Sequence, residues 1–301
     1  MSQRCDLGAT VSLGQRSWTW PARSERRAGI RSFPFLLLLS CQIASAQVES
    51  GSVVFINFAQ DEITIAADSR LTTETGKHDD TECKISAFGT RFAFTMAGAS
   101  RRAGQWSAHS EARDAWTSES KAGPNNTLLL RVAQNWIRRM EMHYSDADLI
   151  KDVTGHLDVD SDPVVAAAAF ASVDDAGKLA VLTVNIDFDL KLFDSTSTVK
   201  LVHRIADLPV GGSAGVGHSD VIDERMDQST QRARDYLKSL RDVLATLPPE
   251  QQRAETAYRF VEQSILLSRK KDELSFPIDV LQIHKGTGVE WVRRKPNCPS
   301  E

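Results

Sequence analysis

The chain has 301 residues, of which 41% are hydrophobic and 25% charged, values typical of a globular protein. Lysine and arginine total 36 against 40 acidic residues, and the net charge of −4 argues against a nucleic-acid binder. No apolar run reaches the roughly 18–20 residues of a spanning helix, so we expect no integral membrane span. The cysteines lack C-x-x-C spacing, which argues against a zinc site or a disulfide scaffold, and spacing does not decide whether Cys83 pairs with Cys298.

The first 46 residues differ in composition from the rest. They contain six arginines and two acidic residues, followed by the apolar run Phe33–Leu39 and the triplet Ala44-Ser45-Ala46. A basic region, an apolar region and an A-x-A site together predict an export signal, and hence a periplasmic or secreted protein. A disordered tail and a lipid anchor at Cys41 remain alternatives. Cleavage after Ala46 would leave residues 47–51 as a short propeptide.

Beyond this leader, the hydrophobic pattern predicts groups of strands and helices in turn. Val53–Phe58 and Glu62–Ala67 are β-branched and aromatic runs that predict a hairpin, and Phe92–Ala97 predicts a further strand. Residues 99–119 are compatible with a polar helix. From Leu129 to Met140, apolar residues recur at the spacing of one helical face, which indicates core packing and implies no cofactor.

The second half repeats this order. Strands are predicted at Val164–Ala171 and Lys178–Ile186, a further strand region at 187–207, and a flexible loop at Gly211–Gly215. Two amphipathic helices follow, and the chain closes with two strands; these elements centre on residues 233–240, 257–265, 278–283 and 289–292. Helices grouped in pairs between strands predict an α+β fold, a four-layer α-β-β-α sandwich. We expect it to span residues 52–292, followed by a polar tail at 293–301.

Three short segments contain the candidate catalytic residues, although each segment alone is weak evidence of function. They are Gly51-Ser52 before the first strand, Ala66–Arg70 after the second, and Lys84 followed by Met96-Ala97-Gly98. Together they resemble the proteasome β-subunit family of N-terminal nucleophile hydrolases, in which glycine precedes the nucleophile that self-cleavage exposes. Two later segments are also similar to that family: Gly212-Ser213 with Val221-Ile222-Asp223, and Asp272 with Ser275 before a closing strand.

The resemblance implies the four-layer fold and self-cleavage between Gly51 and Ser52. Ser52 would replace the family's threonine as nucleophile, with its own freed α-amine as base. Lys84, as a cation held by Asp68, would favour the deprotonated hydroxyl. The remaining roles implied are an oxyanion-binding N–H at Gly98 and hydrogen bonds to the α-amine from Ser213, Asp272 and Ser275.

These features predict an exported, self-processing peptidase or amidase. A non-catalytic structural protein of the same fold and an amidase for a small amide are the alternatives. Met96 hints at an apolar specificity pocket, and the family's rings suggest a homo-oligomer. The seven histidines form no i, i+4 ligand pair, and the acidic run His156–Asp162 fits a solvated loop better than a calcium site.

Overall fold

The computed structural model describes most of the chain beyond the leader: residues 48–50, 52–73, 77–102, 104–121, 127–146, 149–150, 164–189, 200–268, 273–296 and 298. Several sequence predictions lie outside these residues, namely the leader at 1–46 with Cys41, the processing residue Gly51, the acidic run at 156–162, and Asp272. Within the described part, no helix is long and apolar enough to cross a membrane.

The bounds of the secondary-structure elements follow the chain. The strands are β1 Val48–Ser50, β2 Val53–Phe58, β3 Glu62–Ala67, β4 Leu71–Thr73, β5 His78–Asp79, β6 Ile85–Phe88, β7 Phe92–Gly98, β8 Arg101–Arg102, β9 Trp106–Ser107, β10 Val164–Val173, β11 Leu179–Asp189, β12 Lys200–Asp207, β13 Ser213–Gly217, β14 Asp279–His284 and β15 Gly288–Arg293. The helices are α1 Ala108–Ser120, α2 Leu128–Tyr144, α3 Asp220–Met226, α4 Gln231–Leu244 and α5 Pro249–Leu267.

These strands form antiparallel sheets of five strands each. The order is β13-β2-β3-β14-β15 in the first sheet, β12-β11-β10-β7-β6 in the second, and β5-β4-β1-β8-β9 in a small third sheet. The predicted hairpin is confirmed, because β2 pairs with β3 in the register Ile56 to Ile65. The predicted loop at 211–215 is wrong from Ser213 onward, since β13 pairs with β2 along its whole length.

Apolar side chains lie on both faces of the two larger sheets. Ile56 and Leu281 of the first sheet pack against Ala97 and Ala169 of the second. Helices α1 and α2 cover the other face of the second sheet, where the apolar stripe of α2 is buried as predicted. Helix α5 covers the other face of the first sheet, and Phe260 stacks on Phe55 with ring centroids 4.6 Å apart.

The prediction of a four-layer α-β-β-α sandwich is wrong. The structure is a mixed α/β arrangement in which the described strands divide among three antiparallel sheets rather than two. The third sheet consists of strands of two or three residues, which are too short to show an alternating hydrophobic pattern. Its central strand, β1, lies in the segment that the sequence predicted to be a propeptide.

Candidate active site

Ser52 lies directly before β2, and only 1% of its surface is exposed. Within the described part of the chain, its buried hydroxyl has no hydrogen-bond partner. Its carbonyl oxygen accepts a hydrogen bond from the backbone N–H of His218 at 3.0 Å. A buried hydroxyl without a partner is costly for stability, so it is a feature that calls for a functional explanation.

Asp68 follows β3 and is fully buried. One carboxylate oxygen accepts from the backbone N–H of Val53 at 3.0 Å, and the other accepts from Arg70 at 3.0 Å and from Ser275 at 3.3 Å. Burial raises the pKa of Asp68, while Lys84 and these three N–H groups oppose that rise. Asp68 therefore joins the start of β2 to the Ser275 segment.

Lys84 directly precedes β6 and is 2% exposed. Burial lowers its pKa from the ordinary lysine value, while the nearby carboxylates of Asp68 and Glu82 act in the opposite direction. Asp68 and Lys84 are thus two buried ionisable groups, and the charge of each acts on the pKa of the other. Burial therefore acts on both groups in favour of their neutral forms, while each group's charge favours the charged form of the other.

Gly98 ends β7 with φ of +92°, a left-handed conformation that favours glycine. A Cβ at this position would lie 2.4 Å from the carbonyl oxygen of Val165 in the neighbouring strand. The glycine is therefore required for the close approach of β7 and β10. Its assignment as an oxyanion donor stays a prediction.

Ser213 lies away from Ser52. It pairs with Asn57 at the far end of β2, and its hydroxyl accepts a hydrogen bond from the Asn57 side chain at 2.8 Å. Asn57 lies four positions after Val53 along the strand, a distance of roughly 13 Å. The expectation that Ser213 holds the α-amine of Ser52 is therefore wrong, because the register of β13 places Gly217 beside Val53 instead.

Ser275 reaches the site through its backbone. Its N–H donates to Asp68, its carbonyl accepts from the N–H of Ser69 at 3.1 Å, and its hydroxyl donates to the carbonyl of Phe276 at 2.9 Å. Ser275 therefore fixes the carboxylate of Asp68. Its expected hydrogen bond to the α-amine stays a prediction.

Met96 is 1% exposed and packs in the core under helices α1 and α2. Side chains alternate along a strand, and the next residue, Ala97, faces the first sheet. The expectation that Met96 lines a specificity pocket is therefore wrong, because its side chain is enclosed by the helix-facing core.

The sequence did not predict His218, which contacts Ser52, or Glu273, which contacts His218. His218 follows β13, and its imidazole Nε2 lies 2.5 Å from a carboxylate oxygen of Glu273. The sequence feature that could have indicated His218 is the dipeptide Gly217-His218, which follows a glycine-rich segment. Without an i, i+4 spacing pattern, the sequence predicts only a surface or a hydrogen-bonded histidine at position 218, and it does not indicate the contact with Glu273.

A disulfide links Cys83 to Cys298, which answers the question that spacing left open. It joins the residue before Lys84 to the end of the described chain. Neither a protein-family model nor a curated protein matches the sequence.

Proposed function

We propose that the protein is a self-processing peptidase in which Ser52, freed by cleavage after Gly51, is the nucleophile. The observation that carries this proposal is the buried, unpartnered hydroxyl of Ser52. The next residue, Val53, donates its N–H to Asp68, and the charge of Asp68 acts on the buried Lys84. Asp68 accepts from the N–H of Val53, so the carboxylate is fixed one residue away from the nucleophile. The resemblance to N-terminal nucleophile hydrolases supports the same assignment of roles.

The proposed self-cleavage is an acyl transfer followed by hydrolysis. The Ser52 hydroxyl attacks the carbonyl carbon of Gly51, the peptide C–N bond breaks, and an ester forms while the proton passes from oxygen to nitrogen. Water then cleaves the ester, which releases the carboxylate of Gly51 and leaves Ser52 with a free α-amine. In later turnovers this amine acts as the base, since an α-amine titrates near about 7.7–8.0.

The segment before Ser52 favours a polypeptide substrate over a small amide. Strand β1 pairs with β4 on one side and with β8 on the other, so residues Val48–Ser50 are held as an extended strand that leads to the scissile bond. An extended peptide gains main-chain hydrogen bonds along both edges of such a slot. Once β1 leaves after processing, the same slot would hold the acyl side of a substrate peptide.

The disulfide supports export, which the leader at residues 1–46 predicts. Disulfides persist in oxidising compartments and are rare in the cytosol, where thiols are kept reduced. The bond between Cys83 and Cys298 is therefore consistent with a periplasmic or secreted enzyme.

Intact-mass measurement of the purified protein tests the proposal. We expect a mature chain that begins at Ser52, a Ser52→Ala variant that stays folded but uncut, and a Ser52→Thr variant that is processed. A panel of fluorogenic peptide amides should be cleaved by the wild type and by Ser52→Thr. Hydrolysis by the Ala variant, or a wild-type chain that keeps residues 47–51, would refute the assignment.

A further inference from the structure

The end of the described chain folds back into the site. Lys295 is 5% exposed, and its ammonium lies 2.8 Å from a carboxylate oxygen of Asp279. The same ammonium donates to the hydroxyl of Ser69 at 2.8 Å and to the carbonyl oxygen of Glu82. A buried lysine with these partners is held in one position, because each of its three N–H groups has an acceptor.

Two of the three acceptors of Lys295 come from the segments that carry the proposed catalytic pair. Ser69 directly follows Asp68, and Glu82 stands two residues before Lys84. The disulfide ties the same region a second time, because it joins Cys83 to Cys298. One ammonium and one covalent bond therefore hold the Asp68 turn, the Lys84 turn and the end of the chain together.

From this geometry we propose that Lys295 is a positioning residue of the reaction. Through its contacts with Ser69 and Glu82 it would keep the turns that carry Asp68 and Lys84 close together. This inference rests on the proposed function of Ser52. It assigns Lys295 no contact with substrate. It identifies the region after β15, expected from the sequence to be a polar tail, as part of the active-site support.

The charges around Lys84 indicate what Lys295 does besides anchoring. Four charged groups act on Lys84: Asp68 and Glu82 favour its charged form, whereas Lys295 and Arg101 favour its neutral form. The charge of Lys84 also acts on His109. Arg101 is paired with Glu82 at 3.1 Å, and Lys295 is paired with Asp279. A fixed second ammonium thus disfavours protonation of Lys84. A neutral Lys84 could accept the proton of the Ser52 hydroxyl in the uncut chain, where Ser52 has no free α-amine.

Titration of Lys84 by NMR on protein carrying ¹³Cε-labelled lysine tests the proposal without relying on turnover. Lys84→Met assigns the signal. In Lys295→Met the midpoint of Lys84 should rise by about 1 pH unit or more, because a neighbouring cation is lost and water gains access. Lys295→Arg keeps the charge and should retain most of the wild-type midpoint. The exposed Lys285→Met is the matched control and should change nothing.

Lys295→Met leaves Asp279 buried without its partner, so a second variant is needed in case the first does not fold. The double variant Lys295→Met/Asp279→Asn removes both charges and keeps an acceptor for the backbone N–H of Lys295, which donates to Asp279 at 2.9 Å. A folded double variant with an unchanged Lys84 midpoint would overturn the proposal, and so would failure of both variants to fold, since the role would then be structural alone. Failure of the proposed function is a separate result: a wild-type chain uncut before Ser52, whatever the Lys84 titration gives.

Discussion

The backbone N–H of His218 donates a hydrogen bond to the carbonyl oxygen of Ser52 across 3.0 Å. The chain can approach Ser52 this closely because the preceding residue, Gly217, has φ of +80° and no side chain. A Cβ on Gly217 would lie 2.3 Å from the Ser52 carbonyl oxygen and 2.4 Å from the Cβ of Ala97. Glycine is therefore required at position 217 for the close approach to Ser52 and Ala97.

Replacing Gly217 with alanine should displace Ser52 and stop self-cleavage. Gly211→Ala is the matched control, since Gly211 has a similar φ of +84° but open space around its Cβ position. The control should lose about 1–2 kcal/mol of unfolding free energy from backbone strain and stay processed. Gly217→Ala should lose roughly 1–3 kcal/mol more from the overlap with Ser52 and Ala97. Urea unfolding and intact mass measure both effects; equal losses in the two variants would contradict the argument.

The rate of self-cleavage should depend on the protonation of Lys84. The uncut chain has no α-amine at Ser52, so the neutral amine of Lys84 is the proposed acceptor of the hydroxyl proton. Because burial lowers the pKa of Lys84 below the ordinary 10.5, the rate should rise with pH and level off below that value. Lys84→Met should remain uncut, and so should Lys84→Arg, because a guanidinium stays protonated.

The measurement is a time course of intact mass for precursor made by cell-free translation, at pH values from about 5 to about 10. The exposed Lys285→Met serves as control and should follow the wild-type profile. A rate that does not change with pH, or processing in Lys84→Met, would show that another group accepts the proton.

The sequence predicted those parts of the fold that have a local hydrophobic period. The hairpin of β2 and β3 and the helix α2 are buried where their patterns indicated, since burial of one face is what generates such a pattern. Strands of two or three residues are too short to show a hydrophobic period in the sequence. For that reason β1, β4 and β8 were not foreseen, and with them the third sheet.

The sequence predicted the site residues that lie next to the ends of strands it also predicted. Asp68 and Lys84 come together because each flanks a strand of the central sheets, and the spacing motif indicated both. Ser213 was misassigned because the register of β13 is set by pairing with β2, which a single sequence does not reveal. Lys295 and the disulfide approach the site from more than 200 residues away, as the separation of 215 between Cys83 and Cys298 illustrates, and nothing local marks them.

His109 should make the protein sensitive to acid. Its ring forms a hydrogen bond of 2.7 Å with Ser86, and burial together with nearby cations, Lys84 first, lowers the pKa of His109 from 6.5 to about 3. In the unfolded chain His109 becomes protonated below pH 6.5, whereas in the folded chain its ring stays neutral until the pH approaches about 3. The stability linked to His109 is therefore complete above pH 6.5 and is lost as the pH falls towards about 3.

Urea unfolding at a series of pH values measures this effect. His109→Gln is neutral at every pH, so its free energy of unfolding should fall less steeply than that of the wild type below pH 6.5. His78→Gln, at an exposed histidine, should keep the wild-type slope. Parallel slopes for wild type and His109→Gln would show that the pKa of His109 is the same in the folded and the unfolded chain.

Removing the disulfide should destabilise the whole fold, because it closes a loop with a sequence separation of 215 residues. Long loops lose the most conformational entropy in the cross-linked unfolded chain, and loss of a native disulfide costs about 2–5 kcal/mol. The double variant Cys83→Ser/Cys298→Ser avoids a free thiol beside Lys84 and should show this loss by urea unfolding. Reductant should lower the wild type to the variant's value and leave the variant unchanged. A variant as stable as the oxidised wild type would mean that the contacts of Lys295 with Asp279 and Ser69 hold the end of the described chain without the disulfide.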